Sequence, residues 1–189
     1  METKKQDDQL IALLLSLREK DMTTYLHSIQ SATLIKMMAR ELQLPDSEAL
    51  VRSALLHDIG KTLLPSEILQ KQTMLRIDEW EQIRKHPLYS VELLTKHYTE
   101  SELDYDLVSY HHENVDGTGY PYGKGIDEIP LQARLFRIID SYEAMTGQRP
   151  YRKSITKEQA IEELNRYRDI YYDSSLLDSF ISAITKNDL

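Results

Sequence analysis

Residues 21–44 read DMTTYLHSIQSATLIKMMARELQL. Leu26, Ile29, Leu34, Ile35, Met37, Met38 and Leu42 recur at mixed three- and four-residue spacings, which predicts a helix with one buried face. His27, Ser31, Leu34 and Met38 fall on one stripe of it, so the imidazole is expected to face inward. Pro45-Asp46-Ser47 breaks this helix and caps the next, in which Ala49, Leu50, Ala54 and Leu55 lead to His57-Asp58, with Gly60 as the expected stop. Asp78 is expected to cap a helix holding Trp80 and Ile83, which bends or restarts at Pro87 before Leu88, Val91, Leu93 and Leu94. Further helices are expected over Glu102–His112, Leu131–Met145, Lys157–Tyr167 and Ser174–Lys186. No alternating stretch is long enough for a convincing strand, so the fold class is all-α.

Between Gly117 and Gly125 lie four of the six glycines, together with Pro121, and Pro130 follows. Such a cluster is a loop of special backbone conformations rather than an element. The 189 residues, 41% hydrophobic and 29% charged, suit one globular domain. The expected organisation is a helical extension over residues 1–20 and one helical domain over 21–189.

The chain contains no cysteine, so disulfide frameworks, thiolate metal sites and cysteine nucleophiles are excluded. Any metal must be held by His, Asp or Glu. Lys plus Arg is 23 against 31 for Asp plus Glu, a formal charge of −8. That balance argues against a long nucleic-acid partner bound through its backbone charge. The longest apolar stretch, Leu10–Leu15 with Leu17 beyond it, falls short of the roughly 20 residues a membrane span needs. The expected setting is cytoplasmic, with no membrane association.

The chemistry concentrates in the histidines. Taken singly, a histidine is more often a surface or satisfied core residue than a ligand. Context shifts the balance for five of the six. His57 and Asp58 are adjacent at a helix end; helical neighbours diverge by about 100°, so instead of clamping one ion they can straddle two, with Asp58 bridging. The bland alternative is a helix cap. Lys61 lies four residues after His57, where an ammonium can meet a phosphate oxygen. His111-His112 directly precedes the glycine loop, and His86 precedes Pro87. Asp140 sits within the apolar run Leu135-Phe136-Arg137-Ile138-Ile139, an expensive place for an unpaired carboxylate; a metal accounts for it, or Arg137 three residues earlier. Imidazoles and carboxylates of this kind suit a pair of iron or manganese ions. Ions about 3.5–4 Å apart yield a bridging hydroxide at neutral pH, suited to phosphodiester hydrolysis. Activity is expected to fall as pH drops through about 6.5, since a protonated imidazole cannot bind metal.

His57-Asp58-Ile59-Gly60-Lys61, His86-Pro87, His111-His112-Glu113 and Asp116-Gly117-Thr118-Gly119-Tyr120-Pro121 resemble, in that order, the motifs of the HD-GYP family. Ile129-Pro130-Leu131-Gln132-Ala133-Arg134, Asp140 and Arg149-Pro150-Tyr151-Arg152 extend the resemblance over most of the chain. It implies an HD-type helical bundle with the Gly/Pro-rich loop near the active site, and hydrolysis of cyclic di-GMP to linear pGpG or GMP. The implied metal ligands are His27, His57, Asp58, His86, His111, His112 and Asp140, with Asp58 bridging. Asp58 and Lys61 are the implied catalytic residues, and Lys61, Tyr120, Arg149 and Arg152 the substrate contacts. His97 matches no ligand position and is assigned to the surface.

Thr23 stands one helical turn before His27, where three-metal members carry Glu, so two ions are expected. Glu143 stands where the family commonly has Asp and is expected to support the ligands without binding metal. Gly123 and Gly125 depart slightly from the usual spacing, which bears on purine preference. Many members are fused to receiver or sensor domains, for which 189 residues leave no room. Two other functions fit the same resemblance. One is a non-catalytic module that binds cyclic dinucleotides or docks a signalling protein through the Gly-Tyr-Pro loop. The other is a phosphodiesterase for a different cyclic dinucleotide such as cyclic GMP-AMP.

Overall fold

Asp21 divides the first two helices. Its backbone is extended, and its carboxylate accepts from the amides of Thr23 and Thr24 at 3.1 and 3.3 Å, covering donors that the start of a helix leaves unpaired. The computed structural model describes residues 2–45, 47–99, 102–147 and 154–187, with backbone alone for 2–7. Helices α1 (Glu2–Lys20) and α2 (Met22–Glu41) flank Asp21, and α3 (Ser47–Leu56) follows. A 3-10 turn over Ile59–Leu63 leads to α4 (Ser66–Leu69), α5 (Ile77–Ile83), α6 (His86–Leu94) and α7 (Tyr105–Tyr110). After the glycine loop come α8 (Leu131–Thr146), α9 (Lys157–Arg166) and α10 (Ser174–Lys186). The described residues contain no strand, only isolated bridges such as Asp116 with Gly125 at the base of the glycine loop. The all-α expectation holds. No described helix is long and apolar enough to cross a membrane.

Two apolar clusters flank the site. The larger joins Ile35 and Met38 of α2, Ala54 of α3, Leu135, Phe136 and Ile139 of α8, and Phe180 and Ile184 of α10. The second gathers Leu17 of α1, Leu56, Ile59, Leu94, Leu103 and Val108. Leu17 is fully buried, so α1 covers this second cluster. His57 lies edge-on to Phe136 with centroids 5.0 Å apart, which sets the site against the floor of the larger core.

Several expected boundaries move. Asp78 does not cap α5: Arg76 holds that position, its amide donating to the Glu79 carboxylate at 2.7 Å, while Asp78 sits in the first turn and pairs with the Arg76 guanidinium. The helix expected from Glu102 starts at Tyr105, because the Asp104 carboxylate caps the Leu107 amide at 2.8 Å. Gly60 is not a stop. It lies inside the 3-10 turn, and a Cβ there would fall on the His86 carbonyl and the Ser90 amide. Only glycine lets the start of α6 come this close to the turn carrying Asp58 and Lys61.

Candidate metal centre

The last carbonyls of a helix have no partner within it, and three helix ends here solve that problem with a histidine. The Nδ1 of His57 bonds the Ala54 carbonyl at 2.8 Å, that of His86 the Ile83 carbonyl at 2.7 Å, and that of His111 the Val108 carbonyl at 2.8 Å. A carbonyl can only accept, so each Nδ1 carries a proton and each ring turns its Nε2 to the interior, a bare lone pair in the neutral form. The three Nε2 atoms converge around Asp58. This repeated pairing of a histidine with the carbonyl three residues earlier was not part of the sequence reading, although the spacing from each helix end carries its signal.

Asp58 is 1% exposed and lies between two groups. Its Oδ1 is 3.0 Å from His86 Nε2 and 3.9 Å from His111 Nε2; its Oδ2 is 3.3 Å from His57 Nε2 and 2.6 Å from Lys61 Nζ. One potential metal-holding group comprises Asp58, His86, His111 and His112, and another comprises His27, His57 and Asp140. The structure therefore brings together all seven residues expected as ligands. Asp140 reaches both sides, with Oδ1 at 2.8 Å from His27 Nε2 and Oδ2 at 3.7 Å from His112 Nδ1. Arg137 is not its partner: that guanidinium bonds Asn114 Oδ1 at 3.1 and 3.2 Å and also Ser141.

The donor set fits divalent cations on an observation internal to the protein. His57 Nε2 and Asp58 Oδ1 are buried without a hydrogen-bond partner, an expensive arrangement for strong acceptors. His86 Nε2 and His111 Nε2 stand 3.1 Å apart, although both Nδ1 atoms donate to carbonyls. Two lone pairs facing each other at that distance repel, and a cation between them removes the conflict.

The electrostatics favour the ligand forms. Burial lowers the pKa of His86, and burial reinforced by neighbouring imidazoles holds His111 and His112 well below the usual value. Burial alone would raise Asp58 and Asp140. For Asp58 it is outweighed by His57 and Lys61, and for Asp140 by His27 and His112, so both carboxyls sit well below their usual range. His27 differs: burial opposes its charge, but Asp140 and Glu143 prevail and lift its pKa to about 9. Glu143 contacts His27 Nδ1, which orients the ring so that Nε2 faces Asp140. Thr23 lines the neighbouring cavity of about 280 Å³ with His27, Gln30 and Glu143.

Tyr120 roofs the site, stacked on His112 with centroids 4.6 Å apart. The loop carrying it is fixed by Glu113, a buried carboxylate that accepts from the amides of Tyr122, Gly123 and Lys124 at 2.6, 3.1 and 3.0 Å. Gly119 lets the loop fold back, since a Cβ there would strike the backbone of Glu113 and Asn114. Glu113 was quoted in the motif without a role, and its position between the histidine pair and the glycines is the clue. His97 is exposed and touches Gln9, away from the centre, as expected. Arg149 and Arg152 lie outside the described residues.

Residues 9–176 match the HD domain family. The chain belongs to that family, and its ordered motifs place it with the HD-GYP proteins. It is 37% identical over 175 residues to a cyclic di-GMP phosphodiesterase of Pseudomonas aeruginosa, covering 90% of this chain and 42% of the relative. It is 38% identical over 148 residues to a 3'3'-cGAMP-specific phosphodiesterase of Vibrio cholerae, covering 76% of this chain and 32% of that protein. The chain thus spans less than half the length of these relatives. Among solved structures, the PgpH phosphodiesterase HD domain of L. monocytogenes in complex with cyclic-di-AMP superposes with a TM-score of 0.70 at 20% identity, over 93% of this chain and 94% of that one. The bundle is therefore an HD-type fold.

Proposed function

We propose that this chain is a metal-dependent phosphodiesterase for cyclic dinucleotides, with cyclic di-GMP as substrate and linear pGpG or GMP as product. The observation that carries the reading is the pair of adjoining His/Asp groups, joined where Asp58 Oδ2 lies 3.3 Å from His57 Nε2, while His57 Nε2 and Asp58 Oδ1 stay buried and unpartnered. In this reading His27, His57 and Asp140 would hold one ion and His86, His111 and His112 the other, with Asp58 as the carboxylate available to both. Nitrogen and oxygen ligands of this kind suit iron or manganese.

When bound, the ions supply Lewis acidity to water and to the phosphoryl group. The chain's own residues do the rest. Lys61, part-exposed and 2.6 Å from Asp58 Oδ2, holds positive charge where a scissile-phosphate oxygen docks. Tyr120 walls the site above His112 and limits the access of bulk water. Arg149 and Arg152 supply guanidinium forks for phosphate or guanine. The global charge of −8 does not oppose this, because the field at the site governs a small anion.

The test is turnover of cyclic di-GMP by protein loaded with iron or manganese, beside an Asp58→Ala variant. Turnover in the wild type and its loss in the variant are expected. Equal, negligible activity in both, with metal confirmed in the wild type, refutes the enzyme and leaves a non-catalytic module. Cyclic GMP-AMP is the second substrate to assay, since the Vibrio cholerae relative is named for it. A cytoplasmic role in signalling, a protein partner on the Gly-Tyr-Pro loop and the division into a 1–20 extension and a 21–189 domain belong to the same proposal.

A further inference from the structure

Trp80 is the chain's only tryptophan, and it is 46% exposed. It projects from α5 toward the roof of the site, with its ring centroid 6.2 Å from that of Tyr120 in an edge-to-face arrangement. Arg84, at the end of the same helix, holds its guanidinium 5.0 Å from the Tyr120 centroid. Among the described residues Arg84 has no carboxylate partner, and it is half-buried. Tyr120 in turn stacks on His112. An aromatic and cationic wall thus rises from the metal-holding groups to the rim: imidazole, phenol, then guanidinium and indole.

In a cyclic dinucleotide each phosphate is one ribose away from its nearest nucleobase, a reach comparable to the steps of 4.6 and 6.2 Å from His112 through Tyr120 to Trp80. An exposed indole offers a stacking face that any base can use. A guanidinium fork is more selective. It donates two hydrogen bonds to O6 and N7 of guanine, whereas adenine presents a donor where guanine has O6. We propose that Trp80 and Arg84 form a base subsite in which Trp80 stacks one purine of the cyclic dinucleotide and Arg84 reads it as guanine. The subsite rests on the cyclic-dinucleotide reading above and adds a basis for guanine preference in residues that belong to neither metal group.

Because Trp80 is the sole indole, the wild-type protein reports on its own subsite. Manganese-loaded protein is titrated with phosphorothioate analogues of cyclic di-GMP and cyclic di-AMP, following tryptophan fluorescence alongside calorimetry. Fluorescence change that tracks calorimetric binding of the guanine analogue is expected; binding without any fluorescence change overturns the subsite. Arg84→Met is expected to weaken the guanine analogue about 10-fold or more, and the adenine analogue about 3-fold or less. Arg84→Lys, which keeps the charge and loses the fork, is expected to lose the same discrimination. Equal weakening of both analogues, or none, refutes the assignment of Arg84. Turnover separates the two proposals: binding with a fluorescence response but no hydrolysis removes the enzyme and keeps the subsite, whereas hydrolysis without a response removes the subsite alone. Failure of both analogues to bind overturns the subsite together with its substrate class.

Discussion

Glu143 contacts His27 Nδ1 and lies against the group formed by His27, His57 and Asp140. A carboxylate in that place raises the basicity of the ring and fixes which nitrogen faces the ion. Glu143→Gln is expected to weaken metal binding at this group about 10–100-fold, with the Asp58, His86, His111 and His112 group unaffected. Titration with metal against a chelator would resolve the change as one weakened step of two. At this scale the sequence was informative where chemistry needs a particular side chain. His57, Asp58, His86, His111, His112 and Asp140 stand out because few other roles explain imidazoles and carboxylates in apolar contexts. The partner of Asp140 was not legible, since the nearest cation in sequence, Arg137, turns to Asn114 while His27 arrives from a helix more than a hundred residues away.

The elements were legible through their periodicity, and their junctions less so. Gly60 reads as a helix stop when only neighbours in sequence are considered, yet its hydrogen atom leaves room for a different helix. The Gly60 amide donates to Ser90 Oγ at 2.8 Å, and that hydroxyl donates to the His57 carbonyl at 2.6 Å, so one serine ties α6 to the turn. Gly60→Ala is expected to cost about 1–3 kcal/mol, as overpacking of a buried contact does. It should also shift His86 away from Asp58. Denaturant unfolding checks the first effect, and metal content per chain the second. A stable variant that retains full metal content would show that α6 adjusts without moving its histidine.

Over the whole molecule, the buried imidazoles set a pH profile for the metal-free protein. His86, His111 and His112 have folded pKa values below the unfolded 6.5. Below that pH the unfolded chain binds protons that the folded chain refuses, so stability falls as pH drops. His27, lifted to about 9, contributes stability fully present below 6.5 and lost as pH rises toward 9. Together these groups give a maximum near pH 6.5, with a steeper fall on the acid side. Thermal melts of chelated protein between pH 5 and 9 check this; a flat profile would contradict it. Metal should raise the melting temperature, because the assembled ligands of the folded chain bind it more tightly than separate histidines of the unfolded chain.

The carboxylate of Glu113 holds the amides of Tyr122, Gly123 and Lys124 from inside the protein. A stretch so rich in glycine would otherwise fluctuate on the nanosecond timescale. Anchored in this way, these three amides are expected to exchange with solvent only when the buried carboxylate lets go, as slow-opening parts of a protein do. Tyr120 is therefore part of a standing wall rather than a hinged lid, and entry to the metal centre is shaped by what fits beneath it.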